Sequence, residues 1–163
     1  MRRAAALLLL VLAAAGCAGR GAAPEPDADS ANRLLVGLGV EGGSGPDRKV
    51  FRVGDPVTLV LLVENRGVTP VRLVHPSAQR YDFTVSREAH EVWRWSVATG
   101  AVFAQALTEV ELPPGERLVH REVWRGTDTA GQPVPPGRYT VRGVVPLTSR
   151  RLVSPPLDIT LEP

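Results

Sequence analysis

The residues able to do chemistry are few, and their spacing limits what they could do. The chain has one cysteine, Cys17, and three histidines, His75, His90 and His120, far apart along the sequence. There is no His-x-His pair and no second cysteine at metal-ligand spacing, so no zinc centre and no nucleophile–base pair is assembled locally. Asp55 lies in Gly54-Asp55-Pro56 and reads as a turn residue, while Asp82 reads as a strand-edge residue. The expectation is a protein without catalytic residues, metal or cofactor, one that binds and is not an enzyme.

Binding chemistry has better candidates. Trp93 and Trp95 stand two residues apart, a spacing that puts both on one face of a strand. They are read either as a stacking platform or as core area packed on an opposite sheet. Arg80, Asp82 and Arg94 alternate with aromatic positions and have two readings: an ordered ion-pair cluster, or separately solvated charges. Two connections exceed the usual hairpin length, Gly42–Lys49 and Gly126–Pro136. The second has Arg125 at its start and carries Gln132, Pro133, Pro135 and Pro136 in its second half. Long stiff loops on a rigid scaffold often contact partners, although a plain solvated loop is the alternative for each.

Short apolar runs alternate with turn signals from Leu34 onward. Leu34–Val40, Phe51–Val53, Val57–Glu64, Val71–His75, Tyr81–Val85, Trp93–Val97, Arg117–Arg125, Tyr139–Val145 and Leu157–Leu161 are predicted strands. Val57, Leu59, Leu61 and Val63 share a face, and Val60 and Leu62 point the other way, which marks a central or covered strand. Tyr139 at the head of a strand is similar to the tyrosine corner of immunoglobulin-type sandwiches. About eight or nine strands, with no three-turn amphipathic helix, predict an all-β, immunoglobulin-like antiparallel β-sandwich. With 44% hydrophobic and 22% charged residues, the composition is that of one globular domain.

The N-terminus predicts an address. Arg2 and Arg3 precede the apolar stretch Ala4–Ala15, too short to span a bilayer, where about 20 residues are needed. Ala14-Ala15-Gly16-Cys17 resembles a bacterial lipobox, which implies cleavage after Gly16 and lipidation of Cys17. Residues 17–33 then form a flexible tether rich in Gly, Ala and Pro, and 34–163 the folded domain. The expected location is the bacterial cell envelope, lipid-anchored to a membrane and facing the periplasm or exterior. Without the leader's two arginines, 17 basic residues match 17 acidic ones, with no basic run, so no nucleic-acid partner is expected.

Some segments are more specific. Gln79-Arg80-Tyr81-Asp82-Phe83, Glu91-Val92-Trp93-Arg94-Trp95-Ser96, Phe103, Leu112-Pro113-Pro114-Gly115-Glu116, Trp124 and Pro135-Pro136-Gly137-Arg138-Tyr139 follow one another in order. In that arrangement, over roughly residues 50–146, the chain resembles the BsuPI family, the intracellular proteinase inhibitor domain. The resemblance implies a β-sandwich and a protein partner, a serine protease. A non-inhibitory adhesive or assembly module of the envelope is the other function expected of such a domain.

Overall fold

The computed structural model describes residues 34–163. The expected leader, Cys17 and the tether lie outside the described residues. Eleven strands and one short helix follow in order: β1 (Leu34–Glu41), β2 (Val50–Arg52), β3 (Val57–Asn65), β4 (Val71–His75), β5 (Asp82–Arg87), β6 (His90–Arg94), α1 (Trp95–Ala98), β7 (Thr108–Leu112), β8 (Arg117–Trp124), β9 (Gly137–Pro146), β10 (Arg151–Val153) and β11 (Leu157–Glu162). No helix among the described residues is long and apolar enough to cross a membrane.

The strands form an immunoglobulin-like sandwich. One sheet has the order β1-β3-β8; the facing sheet runs β2-β11-β9-β5-β6, with β10 paired to β9; β4 and β7 form a two-stranded ladder. Every pairing is antiparallel except β2 with β11, which is parallel. Strands β7 and β10 are additions to the expected set. Thr108–Leu112 alternates polar and apolar residues like any strand, but Leu112 also opens the Pro113-Pro114-Gly115 turn, which masks it.

The apolar alternation places the core. Val57, Leu59, Leu61 and Val63 of β3 are fully buried and face Phe83, Val85, Val141 and Ile159 of the second sheet. The sheets press close together at Gly143, where an added Cβ would sit 2.5 Å from Leu61 Cδ1. Trp124 of β8 is wholly buried between Trp93 (6.4 Å between ring centroids) and Tyr139 (5.5 Å). Its indole N–H donates to the Thr127 carbonyl at 2.7 Å, so its burial leaves no orphaned donor. The Tyr139 hydroxyl donates to the Pro135 carbonyl four residues upstream, the arrangement of a tyrosine corner.

At the other end, Asn65 closes β3. Its side-chain amide donates to the carbonyls of Thr69 and Leu112, both at 2.8 Å, and its Oδ1 accepts the Gly67 N–H. One buried side chain thus supplies the turn chemistry and ties β3 to the β7 end.

Candidate functional site

The Gly126–Pro136 connection folds on itself. Val134 N–H donates to the Gly126 carbonyl, Asp128 N–H to Gln132, and Gly131 N–H to Asp128, while Asp128 Oδ1 accepts the Gln132 N–H at 2.8 Å. Thr127 and Pro133 form an isolated bridge. Thr129 N–H reaches across to the Val92 carbonyl of β6 at 3.0 Å, so the loop is also pinned to the body. A loop held this way loses little conformational entropy on binding. Its tip, Thr129–Pro133, is exposed, and so is Arg125 at its base. Between the loop and the end of α1 lies an open depression walled by Trp93, Ala98, Thr99, Val123, Arg125 and Thr129.

Asp82 and Arg94 come together, as one of the two sequence readings expected; Arg80 stands apart from them. Asp82 is buried, and its carboxylate accepts from the Phe83 N–H (2.9 Å), the Ser96 N–H (3.1 Å), the Ser96 hydroxyl (2.7 Å) and Gln79 Nε2 (3.2 Å). Arg94 completes the set, 3.2 Å from Asp82 and 2.5 Å from Glu91. This knot ends β6. By holding Ser96 from the neighbouring strand, Asp82 caps the first turn of α1.

That explains a difference from the sequence expectation. Trp93 is core, but Trp95 does not share its strand face, because the strand stops at Arg94 and Trp95 opens the helix. The alternation through Trp93, Trp95 and Val97 continues in the sequence but not in the backbone. Trp95 stacks instead on Tyr81 at 4.9 Å, and Tyr81 stacks on His120 of β8 at 4.2 Å. The Tyr81 hydroxyl donates to Glu122 Oε1 at 2.6 Å; burial, reinforced by that carboxylate, pushes its pKa upward.

Arg80 lies beside a small cavity that it shares with His75 and His120, walled by Val63, Leu118 and Val145. His75 Nδ1–H donates to the Pro146 carbonyl at 2.8 Å, and its Nε2 has no partner. Burial pushes the pKa of His75 below the usual imidazole range, and burial followed by the charge of His75 does the same to His120. No cluster of three or more His, Cys, Asp or Glu able to hold a metal ion occurs among the described residues.

The Gly42–Lys49 connection is also closed internally. Ser44 and Val50 exchange both backbone hydrogen bonds, and Arg48 N–H donates to the Gly45 carbonyl. Gly43 is packed so tightly that an added Cβ would lie 2.2 Å from the Arg48 carbonyl oxygen.

A third segment went unread in the sequence. Between α1 and β7 the chain runs from Thr99 to Leu107 without strand pairing, and no charged residue occurs anywhere from Trp95 to Thr108. Val102 is 96% exposed and Leu107 68%, while Phe103 leans on Trp95 with ring centroids 6.0 Å apart. The signal available was that uncharged run, which from sequence alone reads equally as core.

The sequence signature of the family described as BsuPI, intracellular proteinase inhibitor, matches residues 46–150. Among curated proteins none matches the chain. Several solved structures are similar. Spo0M, a sporulation control protein from Bacillus subtilis, is 12% identical with a TM-score of 0.46, over 80% of this chain and 50% of that one. The CARDB domain of a Pyrococcus furiosus protein, solved with di-metal ions, is 18% identical with a TM-score of 0.43, over 79% of this chain and 87% of the other. A β-glucosidase from Erythrobacter marinus is 16% identical with a TM-score of 0.44; the match takes in 79% of this chain and spans 15% of that enzyme's length.

Proposed function

Because the chain belongs to the BsuPI family of intracellular proteinase inhibitors, we propose that it binds and blocks a serine proteinase through the end of the sandwich built by Gly126–Pro136, Arg125 and the adjoining depression. The observation that carries this reading is the self-bonded, body-pinned loop lying wholly inside the family match, with Gln132 and Pro133 on its exposed rim. The Gly42–Lys49 loop starts ahead of the matched residues and is the weaker candidate. Asp82 and Arg94 serve by positioning α1 at the edge of the depression. Arg80, exposed beside His120, contacts a partner only at the flank.

The lipobox-like sequence at Cys17 supports a location the family name does not suggest: a lipid anchor on a bacterial membrane, with the inhibitor displayed toward the periplasm or exterior. The proteinase met there is an extracytoplasmic one. The test is residual proteolysis after incubating the full chain with subtilisin-like and other envelope serine proteinases. Stoichiometric loss of activity with a complex on size exclusion is expected; full activity at large molar excess with no complex sinks the proposal.

A second reading, a non-inhibitory assembly module, draws on the outer face of the β1-β3-β8 sheet. There Val60 and Leu62 lie beside Val119 and Val123, which are 43% and 45% exposed. Capture of one stoichiometric, non-proteinase partner from envelope membranes favours that reading.

A further inference from the structure

We infer that the segment entering the proteinase cleft is Ala101–Leu107, with Val102 as the side chain that fills the specificity pocket, and that the target is therefore a serine proteinase whose pocket takes small aliphatic residues. The inference rests on the inhibitor reading above and assigns it an element and a substrate class.

A cleft-bound inhibitor segment has two requirements. Its backbone must be free to pair with the enzyme as an added strand, and it must already hold its bound shape. The loop Gly126–Pro136 meets only the second, since its backbone groups from Gly126 to Val134 are largely spent on one another. In Ala101–Leu107 the backbone of Val102 meets both, its neighbour Phe103 having its carbonyl engaged by the Gln105 side-chain amide at 3.2 Å. Ala101 N–H donates to the Ser96 carbonyl at 3.1 Å, and the Ala104 carbonyl accepts the Ala78 N–H at 2.9 Å. Between those anchors the Val102 amide and carbonyl make no hydrogen bond within the protein. Phe103 is held against Trp95, and Thr108 Oγ1–H donates to the Ser77 carbonyl at 3.0 Å, which fixes the exit of the segment.

The side chains argue for the class of enzyme. A valine 96% exposed to water, in a stretch with no charge from Trp95 to Thr108, is what an apolar pocket would bury. Serine proteinases differ in that pocket: acidic in the trypsin type, a wide apolar slot in the chymotrypsin type, small and apolar in the elastase type. Val102 fits the last. Gly126–Pro136 and the depression, which begins at Ala98 and Thr99, form the flank that meets the enzyme rim.

The experiment measures inhibition constants of the full chain against one proteinase of each type, for the wild type, Val102→Arg and a control, Val68→Arg, at another site 87% exposed. The wild type is expected to inhibit the elastase type best. Val102→Arg should weaken that inhibition by about 100-fold or more and gain inhibition of the trypsin type, while Val68→Arg changes neither. If the wild type inhibits the elastase type but Val102→Arg behaves like it, this segment is not the one in the cleft, and the inhibitor reading survives. Preference for the trypsin or chymotrypsin type overturns the assignment of Val102 to the pocket. If the wild type inhibits none of the three, the assignment of Val102 to a small aliphatic pocket is overturned; the inhibitor reading fails with it when subtilisin-like and envelope serine proteinases also keep full activity at large molar excess.

Discussion

Truncating Asp82 to alanine removes the acceptor that closes β6 and starts α1. The carboxylate side chain is 6% exposed and that of Arg94 26%, so the pair is shielded from water on one side. In the variant the Ser96 hydroxyl, the Ser96 and Phe83 N–H groups and Gln79 Nε2 all lose the same acceptor, and Arg94 keeps only Glu91. Hydrogen bonds to an ionised acceptor contribute about 1.5–3 kcal/mol each but do not add. Breaking one side of a buried pair costs about 3–5 kcal/mol, and that is the expected loss for Asp82→Ala. Against a typical domain stability of about 5–15 kcal/mol this is large but survivable. Urea unfolding followed by tryptophan fluorescence measures it, and Trp95 on α1 adds a local readout, since releasing Ser96 frees the ring from Tyr81. Asp82→Asn keeps the oxygen that receives the two backbone N–H groups and loses the charge facing Arg94, so its loss should fall between. A cost below about 1 kcal/mol for Asp82→Ala, the range of exposed ion pairs, would refute the knot as the support of this region.

Two further outcomes follow from residues already described. Burial holds the pKa of His75 and His120 below the free imidazole value of 6.5, so the unfolded chain takes up protons that the folded one resists as pH falls through that value. Stability should therefore be flat above that range and fall on acidification, the direction set by extra proton binding in the unfolded state. His120→Phe, which keeps a ring against Tyr81, should shallow the slope in urea midpoints measured from acid to neutral pH. At the N-terminus, Cys17→Ser should shift the protein from membrane to soluble fractions and abolish labelling by a fatty-acid analogue; unchanged partition would remove the anchor from the proposal.

How much of this was legible in the sequence depended on how local each cause is. The inward face of β3 was plain because Val57, Leu59, Leu61 and Val63 alternate without interruption and all are buried. Tyr139 was readable as a corner because its partner, Pro135, is four residues away. The pairing of Asp82 with Arg94 was one of two open readings, and its hold on Ser96 was not legible, since those groups are set beside it only once β5 and β6 pair. The same contact halts the strand and turns Trp95 away from Trp93, against a sequence alternation that would have carried it on. Val102 was invisible for the opposite reason: an exposed valine and a buried one are written with the same letter, and only packing separates them.

The parallel pairing of β2 with β11 bears on when the protein can fold. Strand β11 lies between β2 and β9, with Ile159 and Leu161 buried, and β2 has no other strand neighbour. Residues 50–52 thus wait for residues 160–162 before they have a ladder to join. Such distant pairing pays a large loop-closure entropy before any contact repays it, which places folding toward the slow, millisecond-to-second end of the range for small domains. In a chain emerging N-terminus first, β2 and one side of β9 stay unpaired until residues 157–162 arrive. That delay is compatible with passage through a membrane before folding, and it leaves the edges of a half-built sandwich exposed to aggregation for the length of the wait.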